Sequence, residues 1–470
     1  MTKHVISRGA TFALSLLLVL SLAPTITLQA QQSTTGQPSP TTYTRPTVMS
    51  RPAPVPGTTQ PGDATTATTT APDDVQVEVP VVRTQGVLVE TLDGQKVMEQ
   101  AADVPFNPAS GVKLLTALNA LRNFGPSHRF TTGVWTNGTL DAATGVLTGD
   151  LIISGRDPSL HYEHAILMAH ELNQLGIRTV TGDLVVAPRF TMNFDWSAQR
   201  SGDVLYDTLD SSRRPVAAVR AWNEERAVFA DYANFPVVPS VAVMGAVYVD
   251  SVPQGARLLL DHRSSKLVDI LKVLLCYSNN FMAERLGDSL GGASGVEQFL
   301  RQSLNLSPSE LRLASTSGLG VNRVTPRAMM KILRALRDEL AKHRLTFQDI
   351  MPVAGIDPGT LEKRYTFGQS RGSVVGKTGT LVRTDGGASA LVGQMRTAKG
   401  ETLLFVIFNM HGNVMRFREA QDQLVAQIQN QRGGPAPFSY RPLTLSMRLA
   451  DTQLRGASPA GKDEYEPGTN

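Results

Sequence analysis

Ser110 and Lys113 stand three residues apart at the start of a segment in which Leu114, Leu115, Leu118 and Leu121 recur at helical spacing. On a helix, residues three apart share a face, so the Lys113 amine lies beside the Ser110 hydroxyl. A serine hydroxyl is a poor nucleophile at neutral pH and needs a base to take its proton. The amine serves as that base only when neutral, which requires desolvation or a neighbouring positive charge; Lys377 could supply the latter. Alone, the pair also reads as a surface helix start with a capping serine. Two further groups follow in order, Ser278-Asn279-Asn280 and Lys377-Thr378-Gly379-Thr380. Ser278 can relay a proton between Lys113 and a leaving amine, or simply cap the helix that follows. The Asn280 amide can hold a substrate backbone amide. Lys377 and the hydroxyls of Thr378 and Thr380 offer a positive charge and donors to a terminal carboxylate. Gly379 leaves room for a substrate along a strand edge, or marks a bulge. Backbone N–H groups of Ser110 and Thr380 would form an oxyanion hole.

These residues must be carried by elements that bring them together. Gly86 to Thr91 reads as a strand, Asp93-Gly94 as a hairpin turn into Lys96-Val97-Met98, and Ser110 falls at or just inside a helix start. Leu267 to Leu275 and Phe281 to Leu286 read as helices with Ser278-Asn279-Asn280 at their junction. Gly372 to Thr380, Ala388 to Gly393 and Leu403 to Phe408 form a predicted meander with a turn at Asp385-Gly386-Gly387, followed by a helix over Arg416 to Gln429. The expected domain is therefore assembled from residues 77–126 and 263–432, with 127–262 as a mostly β insertion and 433–470 as a disordered polar tail. No internal repeat of fixed period is present.

Composition sets the compartment and excludes some partners. With 470 residues, 41% hydrophobic and 18% charged, the chain can bury a sizeable core. The net charge of +4 is scattered, and no recognition motif accompanies it, so a nucleic-acid partner is not expected. The single Cys276, flanked by Leu274, Leu275 and Tyr277, reads as a buried structural thiol. Lys3 and Arg8, the apolar run Phe12 to Leu22 and Leu28-Gln29-Ala30 form an export signal over residues 1–30, placing the protein in the periplasm or cell envelope. That run is shorter than a spanning helix needs, so membrane association is peripheral at most. Residues 31–76, rich in Thr and Pro, read as a disordered tether.

The ordered Ser-x-x-Lys, Ser-x-Asn and Lys-Thr-Gly set is the signature of penicillin-binding proteins and β-lactamases. Together with Asn107-Pro108-Ala109, Gly155-Arg156-Asp157-Pro158-Ser159-Leu160, Phe281-Met282-Ala283-Glu284 and Pro352-Val353-Ala354-Gly355-Ile356-Asp357, the chain resembles the low-molecular-mass class C penicillin-binding proteins, the D-alanyl-D-alanine carboxypeptidase/endopeptidase family, over roughly residues 80 to 430. The resemblance implies an α/β (α+β) penicillin-binding/β-lactamase-like transpeptidase fold, a helix-flanked antiparallel sheet. It implies removal of the terminal D-alanine from peptidoglycan stem peptides, often with crosslink cleavage, inhibition by β-lactams, and no metal or organic cofactor. Two departures stand out. The 168 residues from Ser110 to Ser278 are few for the family's insertion. The loop Ser315-Thr316-Ser317-Gly318-Leu319-Gly320-Val321-Asn322-Arg323 keeps the family's Ser-Gly-Leu centre but lacks its Asp and second Ser.

A serine β-lactamase or an inactive wall-binding scaffold are the competing functions. A deacylating glutamate would fall between Asn280 and Lys377, where Glu284, Glu297, Glu310, Glu339 and Glu362 occur, none in the Glu-x-x-x-Asn pattern of such a loop; Glu284 reads as half of a structural ion pair. His161, His164 and His170-Glu171 resemble part of a zinc motif, but Gln174 stands where the second helical histidine would be. Asp157 reads as a turn-stabilising side chain.

Overall fold

A continuous apolar run such as Leu403-Leu404-Phe405-Val406-Ile407-Phe408 is stable as a strand only if both of its faces are covered. In the computed structural model, which describes residues 84–228 and 238–456, all six of these residues are fully buried. They belong to the strand Thr402–Met410 at the centre of a five-stranded antiparallel sheet. The order is Val374–Leu381, Ala388–Arg396, Thr402–Met410, Gln85–Thr91, Lys96–Gln100. Alternate residues serve two cores. Leu88, Val392, Leu404, Val406 and Phe408 meet the main helical layer. Val87, Val89, Leu391, Phe405 and Ile407 meet Val425 and Ile428 of the helix Val414–Gln431. The fold is therefore the helix-flanked antiparallel sheet that the sequence implied. The segments expected as signal and tether lie outside the described residues. No helix among the described residues is long and apolar enough to cross a membrane.

The helix Val112–Phe124 is buried on every side from Val112 to Leu121, as a central core helix must be. It packs against the helix Pro326–Lys342, whose Thr325 cap accepts a hydrogen bond from Ala328 N and whose first residue is proline. Val374–Leu381 is the edge strand of the sheet, with unbroken pairing Lys377↔Val392 and Gly379↔Ala390. Gly379 therefore marks no bulge.

The segment after the first helix builds a second sheet, ordered Val247–Val249, Leu184–Val186, Leu151–Gly155, Thr131–Thr136, Arg257–Arg263, Gln453–Gly456. Strands are only part of it. The helices Tyr162–Gln174, Ala198–Leu209 and Val216–Val228 belong to the same stretch. The tail also departs from expectation. Residues beyond Gly433 carry the helix Leu445–Ala450 and a last strand that pairs with Arg257–Arg263. Leu445 and Leu449 join the main core, so a few apolar residues in a polar stretch suffice to anchor it.

Tyr440 adds a polar anchor. Its hydroxyl donates to Asp357 Oδ1 at 2.8 Å, while Lys272 Nζ donates to Asp357 Oδ2 at 2.7 Å and to the carbonyls of Gln348 and Met351 at 2.8 and 2.6 Å. Lys272 and Asp357 are both fully buried. Removing one partner of such a pair strands the other charge without water. Lys272→Met should therefore cost about 3–5 kcal/mol. Equilibrium urea unfolding measures this, and an unchanged midpoint would show that the pair does not hold the tail and the Pro352–Asp357 turn together.

Candidate active site

Ser110 sits in a single 3-10 turn, Ala109–Gly111, that feeds the helix Val112–Phe124. The turn requires Ala109 at φ 47°, a left-handed conformation that costs an L-residue roughly 1–2 kcal/mol. Buried Asn107 holds it there. Its Oδ1 accepts from Ala109 N at 3.0 Å, and its Nδ2 donates to Gly320 O at 3.0 Å and to Asp385 Oδ2 at 2.7 Å. Asp385 is in turn gripped by both terminal nitrogens of Arg323, at 2.8 and 3.0 Å. The Arg323 and Asn107 hydrogen bonds hold the Asp385 carboxyl below its usual range. Two glycines allow the neighbouring chains to touch this turn. A Cβ on Gly379 would lie 2.3 Å from Pro108 O, and one on Gly318, at φ +92°, would lie 2.0 Å from Ala109 O. Gly379 thus leaves room for the turn that carries Ser110.

Lys113 is fully buried, and its Nζ lies 3.0 Å from Ser110 Oγ, 2.7 Å from Asn280 Oδ1 and 2.6 Å from Ser317 O. Burial pulls the amine down to about 7, against an opposing pull from the Glu284 carboxylate. Two of the three partners, an amide oxygen and a backbone carbonyl, can only accept. A neutral amine has two hydrogens and one lone pair. The two oxygens take the hydrogens, and the lone pair is left to the one partner able to donate, the Ser110 hydroxyl.

Ser317 is placed by Glu284 on the helix Asn280–Asp288. Glu284 Oε1 accepts from Ser317 N at 2.9 Å, and Oε2 accepts from Thr316 Oγ1 at 2.7 Å. Burial raises the Glu284 carboxyl, but the bonds from Ser317 and Thr316 together bring it below its usual range. The sequence suggested an ion pair for Glu284; its hydrogen bonds instead come from these neutral donors of the loop, and the Lys113 amine only feels its charge. Asn322 stiffens the same loop by accepting from Ala314 N at 2.8 Å.

Ser278 ends the helix Leu267–Tyr277 in a left-handed conformation at φ 57°. The helix that follows is capped by Asn279, which accepts from Met282 N at 3.0 Å, and not by Ser278. Ser278 Oγ instead accepts from Lys377 Nζ at 2.8 Å, and Lys377 also donates to Thr378 O at 2.7 Å. Lys377 is fully buried; burial and then the Lys113 charge hold its amine well below the usual lysine range. Desolvation leads the lowering of both amines, and the closeness of the two adds to it.

A cleft of about 680 Å³ is lined by Ser110, Ser278, Thr378, Thr380, Glu362 and Arg418, among others, and not by Lys377. Arg418 was missed by sequence reasoning. Its Nη2 donates to Thr380 Oγ1 at 2.8 Å, but a single cation on an amphipathic helix carries no motif.

Other sequence candidates lie elsewhere. His170 contacts its neighbours Glu171, at 3.1 Å, and Gln174, at 3.3 Å, along its own helix. His161, Glu163 and His164 offer ligand atoms within 4.8 Å of one another, but both His164 nitrogens are engaged, by His161 N and Leu449 O. That leaves fewer donors than the three or four protein ligands of a zinc site. Asp157 Oδ1 accepts from Ser159 N and Oγ at 2.8 and 2.6 Å, the turn-stabilising use expected. Cys276 is buried, which pushes its thiol up to about 12.

A helix-borne Ser–Lys pair against the edge strand of a helix-flanked antiparallel sheet defines the penicillin-binding/β-lactamase-like class of fold. Among solved structures, a predatory endopeptidase from Bdellovibrio bacteriovorus aligns over 80% of this chain and 100% of its own, with a TM-score of 0.66 and 22% identity. Penicillin-binding protein 4 from Haemophilus influenzae aligns over 73% and 96%, with a TM-score of 0.53 and 21% identity. Residues 75–204 and 210–431 match the D-Ala-D-Ala carboxypeptidase 3 (S13) family, and the chain belongs to it. The D-alanyl-D-alanine carboxypeptidase of Actinomadura sp. (strain R39) is 27% identical over 76% of this chain and 82% of the relative. A carboxypeptidase of Mycobacterium tuberculosis, Rv3627c, is 26% identical over 73% and 79%. The protein is a serine-type carboxypeptidase.

An amine can accept the serine proton only when neutral, so acylation is expected to be slow below the Lys113 midpoint and to rise as pH passes through about 7. Stopped-flow acylation by a chromogenic β-lactam across pH reads that limb directly. A midpoint near that of an ordinary lysine would contradict the desolvation account.

Proposed function

We propose that the chain releases the terminal D-alanine from peptidoglycan stem peptides through an ester on Ser110. The neutral amine of Lys113 takes the Ser110 proton as Oγ attacks the carbonyl of the penultimate D-alanine, and the N–H groups of Ser110 and Thr380 hold the oxyanion. Ser278, bridged to Lys377, passes a proton to the departing amine. Asn280 holds Lys113 through Oδ1, which leaves its NH₂ group for a substrate amide. Thr378 and Thr380 face the leaving residue from the edge strand. Water then cleaves the ester. The observation that carries this reading is the buried Lys113 amine 3.0 Å from a serine hydroxyl that lines an open cleft. Residues 77–126 and 263–432 would form the peptidase domain around the 127–262 insertion, exported to the periplasm or cell envelope.

The reading favours a peptidase over a β-lactamase because four of the five candidate glutamates are engaged elsewhere. Glu284 holds Ser317, Glu297 accepts from Leu313 N at 2.8 Å, Glu310 from Ser307 N at 2.9 Å, and Glu339 pairs with Lys342 at 2.8 Å. Glu362 alone of the five lines the cleft.

Ser110→Ala should abolish covalent labelling by a fluorescent penicillin, and Lys113→Ala should slow it about 10²- to 10⁴-fold. The wild-type acyl-enzyme should persist for minutes or longer, with the same lifetime in Glu362→Gln. Labelling of Ser110→Ala would displace the nucleophile. Rapid penicillin turnover that Glu362→Gln arrests, without D-alanine release from peptide, would instead identify a β-lactamase.

A further inference from the structure

The strand residues that face the cleft bring hydroxyls but no charge. Lys377, the cation of the Lys-Thr-Gly group, is fully buried, with its amine on Ser278 Oγ and Thr378 O. Arg364 lines the cleft but is bound through Nε to Asp422 Oδ1 at 2.9 Å and Oδ2 at 3.1 Å. Lys363 also lines it and is exposed, a hydrated point charge on a flexible stem. Arg418 differs from both. It lies in the second turn of the helix Val414–Gln431, half-buried, and is paired with no carboxylate among the described residues.

Its guanidinium is nevertheless fixed in place. Nη2 donates to Thr380 Oγ1 at 2.8 Å, and that hydroxyl donates onward to Gly379 O at 2.8 Å. Among the described residues Nη1 meets only the Met415 thioether, at 3.8 Å, a weak acceptor. Arginine has five N–H donors in a rigid planar fork that matches a carboxylate, and most of those on Arg418 remain uncommitted. The tether holds that fork on the residue proposed above for the oxyanion hole, one residue from Gly379, where the strand touches the nucleophile's turn.

We propose that Arg418 is the specificity residue for the free C-terminal carboxylate of the substrate, which its guanidinium receives beside the Thr378 and Thr380 hydroxyls. The inference rests on the peptidase reading above and refines it. The charge that selects a carboxylate-bearing leaving group comes from the terminal helix and not from Lys377. Any leaving amine whose α-carbon carries a carboxylate satisfies the site, and a leaving group without one does not.

The test compares two acylated peptides ending in D-Ala-D-Ala, one with its terminal carboxylate and one with that group converted to the carboxamide. Wild type should prefer the carboxylate form. Losing a charge-assisted hydrogen-bond pair should reduce kcat/KM of Arg418→Ala on that form about 10- to 100-fold, mainly through KM. Turnover of the carboxamide should fall several-fold less than that of the carboxylate form, so that the preference collapses; the turnover that remains also reports that the variant is folded. Arg418→Lys, which keeps the charge without the fork, should recover part of the preference. Equal losses on both peptides, or an undiminished preference in Arg418→Ala, would overturn the assignment while leaving the peptidase reading standing. A wild-type enzyme that cleaves neither peptide would overturn both.

Discussion

An amine held out of water beside a serine hydroxyl is the interaction on which the rest of this structure depends. Desolvation alone would favour a neutral Lys113, yet a neutral amine is useful only if its lone pair faces the serine. That orientation is forced by two groups that can do nothing but accept, Asn280 Oδ1 and Ser317 O. The Glu284 charge opposes the desolvation but stands behind the loop that supplies one of those acceptors. The site therefore tolerates a modest upward pull on its base in exchange for a fixed carbonyl.

Four stretches of chain must converge for this to hold. Residues 107–113 carry Ser110 and Lys113, 278–284 carry Ser278, Asn280 and Glu284, 315–323 form the loop, and 377–385 form the edge strand with its turn. Asn107, Asp385 and Arg323 tie three of them into one hydrogen-bonded unit, and Gly318 and Gly379 let the backbones approach where any side chain would collide. The positive φ of Ala109 is sustained by that unit, an arrangement in which local strain is held by its surroundings. Lys272 and Asp357 play the corresponding role behind the site, where they join the Ser278-bearing helix to the turn before the edge strand and to Tyr440 of the tail.

Much of this was legible in the sequence because helices and strands here obey their own periods. Leu114, Leu115, Leu118 and Leu121 announce a core helix, and the apolar runs at 388–393 and 403–408 announce buried strands; each motif fell on the element expected for it. What remained hidden depends on partners far apart in the chain. Asn107 and Asp385 are 278 residues apart, and Thr380 meets an arginine on a different element. Neither contact leaves a local pattern. Lys377 shows the same limit: sequence reveals a charge but not that the amine is buried, with its hydrogen bonds going to Ser278 Oγ and Thr378 O. The tail was misjudged because Tyr440, Leu445 and Leu449 are too sparse to register as periodic, although each finds a partner already in place.

The central claim is that burial brings the Lys113 amine to about half neutral near pH 7. Nitrogen-15 NMR of the lysine side chains, with the Lys113 resonance assigned by its loss in Lys113→Met, follows that amine alone, without reference to any substrate. The account predicts a midpoint of about 7 for this resonance in the free enzyme. A midpoint close to the value of roughly 10.4 for an unperturbed lysine would contradict it.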